Sequence, residues 1–232
     1  MSTDSKTAFI IGATRGIGAA TARRFLAEGY TVAGTHRGNG AVPEGVHPVE
    51  LDITDEASIT AGFKAALEHL GSLDTLVVAS GITKDGLLMR ASEADILDVL
   101  RTNTVGPILA AKAALKPMLR QKNGSIILMS SMSVKYGVAG QTTYTASKGA
   151  IEAFVRSMAR EYSGRGIRVT AVAPGTTDTD MVAAMTDEER AHMMTEVPMN
   201  RLAQPDEIAD AIFHVAENPY MSGSTAQVSG GA

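Results

Sequence analysis

The chain has 232 residues, a formal net charge of −4 and no cysteine, and a chain of this length can bury one sizeable core. Disulfides and thiolate metal sites are excluded, and an acidic balance without a run of Lys and Arg opposes a phosphate-tracking surface, so no nucleic-acid partner is expected. The five histidines, His36, His47, His69, His192 and His214, lack metal-ligand spacing, no apolar run reaches the ~20 residues of a membrane span, and the first residues lack a secretory pattern. A cytoplasmic protein with no metal site and no membrane partner is expected.

The chain opens with an apolar run of strand length at residues 7–11, then a glycine-punctuated turn and a helical period over 16–28. Strand-like runs follow at 31–35 and, more briefly, at 47–50, and a helix over 55–70 leads to a strand at 73–78. Residues 92–119 read as helical, interrupted by Pro107 and Pro117, each of which removes a backbone donor and should bend or end the helix. A strand at 125–129, a helix over 142–162 and a strand at 167–173 continue the alternation. Pro205-Asp206-Glu207 reads as a helix start leading into 208–216, and Ala226-Gln227-Val228 as a last edge strand. Strands alternating with helices predict an α/β fold: one Rossmann-type domain, doubly wound, with a parallel sheet flanked by helices on both faces.

The turn after the first strand is Gly12-Ala13-Thr14-Arg15-Gly16-Ile17-Gly18. Glycines there let the backbone approach a diphosphate, which the amides and dipole of the following helix then meet. The Gly-x-x-x-Gly-x-Gly spacing differs from Gly-x-Gly-x-x-Gly, and no Lys-Ser/Thr of a P-loop follows. The second strand ends in Thr35-His36-Arg37-Gly38, where a carboxylate would select a free ribose hydroxyl. An arginine stands there instead. Arg37, with Arg15, is suited to grip a 2′-phosphate, which favours NADPH over NADH.

Tyr144 and Lys148 lie four residues apart in a helical segment, so they share one face. Taken alone, such a pair occurs on many helices. Together with Gly12 to Gly18, with Asn103-Thr104-Val105-Gly106, with Ser131 thirteen residues before Tyr144, and with the segment Pro174 to Met181, it resembles the classical short-chain dehydrogenase/reductase family. Within that family the stretch Gly81 to Arg90, Gly140-Gln141, and Ser157 to Glu161 are most similar to β-ketoacyl-acyl-carrier-protein reductases. The likeness covers nearly the whole chain.

The resemblance implies a 3-oxoacyl thioester substrate reduced by hydride from NADPH, with Asn103, Ser131, Tyr144 and Lys148 as the catalytic set. It implies cofactor contacts at Gly12, Thr14, Arg15, Gly16, Ile17, Gly18, His36, Arg37, Asp52, Ile53, Ser80, Gly81, Tyr144, Lys148, Pro174, Gly175, Thr177 and Thr179. A phenol of ordinary pKa about 10 is a reluctant acid, and a nearby ammonium should bring it closer to the working pH. Ser131 would hold the carbonyl oxygen, and Asn103 would bind a water joining Lys148 to solvent. Five methionines between residues 176 and 200 suit a flap over the substrate or, equally, the core side of a helix. An acyl carrier protein partner would need a basic patch, for which Lys122 and Arg165 are candidates by analogy, with Arg120 and Arg168 nearby, and a homotetramer is implied. Other small ketones, or a non-catalytic nucleotide sensor, are the rival readings. A serine hydrolase is opposed by the lack of a Gly-x-Ser-x-Gly elbow.

Two positions depart from the family pattern. Ile11 stands where Thr usually precedes the first glycine, and Val78-Ala79-Ser80-Gly81 stands where Asn-Asn-Ala-Gly is usual.

Overall fold

The computed structural model describes residues 5–38, 40–179 and 197–232. Seven strands, β1 (Thr7–Ile11), β2 (Thr31–His36), β3 (His47–Glu50), β4 (Thr75–Val78), β5 (Gly124–Met129), β6 (Ile167–Pro174) and β7 (Thr225–Val228), form one sheet in the order β3-β2-β1-β4-β5-β6-β7. Every pairing is parallel. Strands β1, β4 and β5 are buried along their whole length, which is why they read as continuous apolar runs and not as alternation.

Alternate residues of β1 feed two cores. Phe9 and Ile11 pack with Ile59 and Phe63 of α2 (Glu56–Leu70), Ala114 and Met118 of α4 (Gly106–Gln121) and Ile151 and Val155 of α6 (Thr142–Tyr162). Ala8 and Ile10 pack with Phe25 of α1 (Gly16–Ala27) and with Ile208 and Ile212 of α7 (Pro205–Glu217). This two-faced burial of period two is what a central parallel strand requires. Burying Phe25 completely contributes about 1.5–3 kcal/mol relative to exposing it.

Three differences from the sequence reading have local reasons. Strand β4 begins at Thr75 and not at residue 73, because the side-chain amide of Gln121 takes both backbone groups of Leu73, accepting from its N–H at 3.0 Å and donating to its carbonyl at 3.1 Å. The long third helix is divided into α3 (Glu93–Leu100), a π-helical turn (Arg101–Val105) and α4. Pro107 falls in the first turn of α4, just after this widened turn, as expected of a residue that cannot donate to the regular ladder. Pro117 does not end α4, which continues to Gln121 with Ala114 and Met118 fully buried beneath it. Packing outweighs the lost bond there. The other three-residue and four-residue turns, Leu88–Arg90, α5 (Ser133–Tyr136) and Ser163–Arg165, join these elements.

The chain leaves β1 toward β2 on one side and reaches β4 on the other. A crevice therefore opens at the carboxyl ends of β1 and β4, where an open parallel sheet takes its ligand. No described helix is long and apolar enough to cross a membrane. Most of the methionine-rich segment expected to form a flap, residues 180–196, lies outside the described residues; Met199, which is described, is exposed.

Candidate active site

The glycine turn between β1 and α1 is built so that neither Gly12 nor Gly18 can carry a side chain. A Cβ on Gly18 would stand 2.0 Å from the Gly12 carbonyl oxygen, and one on Gly12, whose φ is +90°, would meet the Ser80 Oγ at 2.7 Å and the Ser80 nitrogen at 2.9 Å. The helix start is thus pressed onto the loop, and the loop onto the exit of β4. Arg15 caps α1 without a side-chain hydrogen bond to its first amides, and no acidic residue stands in the first turn, so the helix terminus is suited to an anion. Thr35, which the sequence reading did not single out, ties this turn down by accepting from the Gly12 N–H at 2.9 Å. Its place at the carboxyl end of the neighbouring strand was the signal.

Of the other expected cofactor residues, Thr179 touches that turn, and the rest, Tyr144 and Lys148 apart, stand at or beyond the carboxyl ends of β2, β3, β4 and β6. Gly16, at φ +51°, comes close to the Thr179 methyl, which would lie 3.3 Å from an added Cβ, and the loop at Gly40 folds back against Thr14. His36 Nδ1 accepts from the Gly38 N–H at 3.1 Å, and Arg37 is exposed beside it. One oxygen of Asp52 accepts from the Thr54 N–H at 2.8 Å and from its hydroxyl at 2.7 Å. These bonds, aided by the charges of Arg37 and Arg101, hold its carboxyl below the usual range. The neighbouring Ile53 is buried, and its carbonyl leaves Gly106 no room for a Cβ. Asp55, by contrast, caps α2 by accepting from the Ala57 N–H. Gly175 donates to the Val228 carbonyl and presses on Ser229, while Thr177 is buried and bridges to Ala203. The Cβ-excluding cradle at a helix start, with arginines near its rim, fits a dinucleotide phosphate.

Tyr144, Lys148, Ser131 and Asn103 meet on the other side of the crevice. Lys148 Nζ lies 5.7 Å from the Tyr144 ring centroid and donates to the Met129 carbonyl at 2.9 Å. It is buried at 4% exposure, and burial lowers its pKa to about 8. At neutral pH it remains mostly an ammonium. Tyr144 departs from expectation: burial pushes its pKa up, the hydrogen-bonded Ser131 side chain acts the other way, and the Asp85 charge pushes up again. The lysine ammonium, for its part, is bonded to a backbone carbonyl and lies over the ring.

Asn103 is carried inward by the π-helical turn and is completely buried. Its Oδ1 accepts from the Ile82 N–H at 2.9 Å, and its Nδ2 donates to the Ile82 carbonyl at 2.8 Å and to Ser147 Oγ at 3.1 Å. Ser147 in turn donates to the Tyr144 carbonyl at 2.6 Å. The amide therefore clamps the exit of β4 to the first turn of α6. A Cβ on Gly81 would lie 3.4 Å from both Asn103 Oδ1 and Lys148 Nζ, so the two groups flank the same stretch of backbone. Two residues that the sequence reading gave only as part of the Gly81 to Arg90 stretch have a positioning role: Asp85 takes a hydrogen bond from Gln141 Nε2 at 3.0 Å and one from Thr83, and Gly86 donates to the Gly140 carbonyl. They fasten the loop after β4 to the loop before Tyr144.

The basic residues expected near the entrance are elsewhere. Lys122 caps α4 and Arg165 directly precedes Gly166, whose carbonyl accepts from Gly124; both stand at the amino ends of β5 and β6. Ser131 and Pro174 stand at the carboxyl ends, and six residues of strand separate the two edges by about 20 Å at ~3.3 Å per residue. Arg120 lies in the last turn of α4 at that same far edge, and Arg168 donates to the Asn218 and Ala216 carbonyls there. A cavity of about 350 Å³ lined by Arg156, Arg160, Ser163 and Ser222 contains none of the four groups above, whereas one of about 230 Å³ adjoins Gly175 and Thr176. Among the described residues no cluster could hold a metal ion.

Comparison with known proteins gives the same outline. A family model described as Enoyl-(Acyl carrier protein) reductase, adh_short_C2, matches residues 12–232. Similar proteins include the 3-oxoacyl-[acyl-carrier-protein] reductase FabG of Vibrio harveyi, 39% identical with 100% of this chain and 98% of that protein covered. Another is the 3-oxoacyl-[acyl-carrier-protein] reductase MabA of Mycobacterium tuberculosis, 37% identical with 98% and 92% covered. The crystal structure of gox2181 aligns with a TM-score of 0.92 at 25% identity, over 98% of this chain and 95% of that one. With a family match from the glycine turn to the last residue and full-length relatives above a third identical, the chain belongs to the short-chain dehydrogenase/reductase family.

Proposed function

We propose that this chain is an NADPH-dependent ketoreductase that reduces 3-oxoacyl thioesters, presented on an acyl carrier protein, to the 3-hydroxy products. The observation that carries the reading is the meeting of Ser131, Tyr144 and Lys148 beside Gly81 at the carboxyl ends of the strands. The full-length relatives named 3-oxoacyl-[acyl-carrier-protein] reductase support the substrate class.

When bound, the dinucleotide supplies a hydride to the ketone carbon. Gly12, Thr14, Gly16, Ile17 and Gly18 would hold its diphosphate, Arg15, His36 and Arg37 would meet the 2′-phosphate, and Asp52, Ile53, Ser80 and Gly81 would line the adenosine. Pro174, Gly175, Thr177 and Thr179 would bound its nicotinamide end. Ser131 orients the ketone oxygen and steadies its growing charge, and Tyr144 donates the proton to it. Its raised pKa keeps the phenol protonated at neutral pH, the form a proton donor needs. Lys148 holds positive charge beneath the ring, and Asn103 keeps the lysine pocket and the β4 exit in register.

A carrier protein would approach the carboxyl-end face, where Arg90 stands on the same loop as the exposed Leu87, Leu88 and Met89. A homotetramer and a cytoplasmic setting belong to the same proposal. Turnover of acetoacetyl thioester, simple ketones and a 2-enoyl thioester, followed by loss of reduced-nicotinamide absorbance, tests the reading. Thioester ketone should be preferred, and Tyr144→Phe should cut its kcat by about 10²–10⁴-fold. Turnover of only the enoyl or only the non-thioester substrates, or near-normal turnover by Tyr144→Phe, would overturn it.

A further inference from the structure

We propose that Glu152 is a positioning residue for ketone reduction: its carboxylate holds Ser130 and so fixes the turn that sets Ser131 against Tyr144. The proposal rests on the reading of Ser131 and Tyr144 as the reacting pair. Helix α6 presents Tyr144, Lys148 and Glu152 at successive four-residue steps, one turn apart on one face. The latter two grip consecutive residues of the β5 exit. Lys148 Nζ donates to the Met129 carbonyl at 2.9 Å, and Ser130 Oγ donates to Glu152 Oε1 at 2.8 Å.

From the opposite side β6 holds the same turn, the Ser130 N–H donating to the Val172 carbonyl at 2.7 Å and the Met132 N–H to the Pro174 carbonyl at 3.0 Å. Ser131 lies between these anchors, its Oγ accepting from the Ser133 N–H at 3.2 Å. Ser130 itself is buried at 3% exposure, where a hydroxyl needs a partner and an ionised acceptor makes the stronger bond. An ordinary solvated glutamate on α6 would not turn its carboxylate inward to a buried serine beside a reacting one. Small displacements of a reacting group are costly, an error near 1 Å reducing rate by up to about 10²-fold.

The test compares Glu152→Ala, Glu152→Gln, Ser130→Ala and the double alanine variant in kcat, ketone KM, NADPH affinity and hydrogen exchange at amides 129–134. Glu152→Ala should lower kcat about tenfold, leave KM and NADPH affinity within about twofold, and speed exchange at those amides. Glu152→Gln, which keeps an acceptor oxygen, should restore most of both losses. Ser130→Ala should match Glu152→Ala, and the double variant should lose no more than either. Unchanged kcat and exchange in Glu152→Ala, failure of Gln to rescue, or losses that multiply in the double variant would overturn the proposal. A wild-type protein that reduces no ketone would instead remove the reading of Tyr144, and the exchange measurement would still judge the clamp.

Discussion

Replacing Lys148 by Met should remove turnover and also change how stability responds to pH. Burial lowers the lysine pKa from 10.5 to about 8, so between those values the unfolded chain binds the proton that the folded chain has released. Stability of the wild type therefore rises with pH across that window, and below about pH 8 the folded chain bears the full cost of a buried ammonium. At ~1.36 kcal/mol per pH unit the whole window is worth about 3 kcal/mol, and the part between about pH 8 and about pH 9.5 is worth ~2 kcal/mol. The methionine variant has no proton to exchange at this position, although it leaves the Met129 carbonyl without its donor, a loss that is the same at both pH values. Urea unfolding of both proteins at the two pH values isolates the titration from that constant loss. The wild type should gain on Lys148→Met by ~2 kcal/mol over this interval. Curves that run parallel, or a gain in the opposite direction, would refute the claim that Lys148 is held charged in a desolvated site.

The remaining expectations concern the acid and the cofactor grip. Asp85→Asn keeps the shape that Gln141 bonds but removes a charge that pushes the Tyr144 pKa up; the alkaline fall in kcat, where the phenol loses its proton, should move to lower pH, and an unmoved or upward-shifted limb would rule out this coupling. Arg37→Ala should weaken NADPH by at least about tenfold while changing NADH little, measured by fluorescence titration. Equal losses for both dinucleotides would end the phosphate-clamp argument. Glu50, whose Oε1 lies 3.6 Å from the Cβ position of Gly38 beside Arg37, is a carboxylate at the same turn, so Glu50→Gln should shift preference further toward NADPH.

What was legible in sequence was whatever short spacing encodes. The glycine turn, the Tyr144–Lys148 step and the alternation of buried strands depend on neighbours within a few residues, and the structure puts each in the expected element. Contacts between distant residues were not legible. Asn103 reaches Ile82, 21 residues away, and Ser130 reaches Glu152, 22 away, through a fold that only the strand order defines. Lys122 and Arg165 illustrate the same limit from the other direction. Both are only a strand's length from the Ser131 and Pro174 segments in sequence, yet a strand carries the chain from one edge of the sheet to the other. The Tyr144 pKa was misjudged because spacing reveals that two side chains share a face but not how deeply the ring is buried or where the ammonium points.

The two departures from the family pattern meet at one point of the sheet. Ile11 and Val78 are register partners across β1 and β4, both 1% exposed and both in the core that includes Phe9 and Leu76. Where the family usually has Thr and Asn, this chain has two apolar side chains at adjacent positions, and the glycine turn is anchored by Thr35 from β2. Either polar residue restored alone would bury a group without its partner, at about 1–3 kcal/mol. Both together can bond each other. Unfolding of Ile11→Thr, Val78→Asn and the double variant should therefore show each single change destabilising by about that amount and the double recovering at least ~1 kcal/mol of their summed loss. Losses that add to within ~0.5 kcal/mol would mean that the positions changed independently, and that the apolar pair is not a substitute for the polar one.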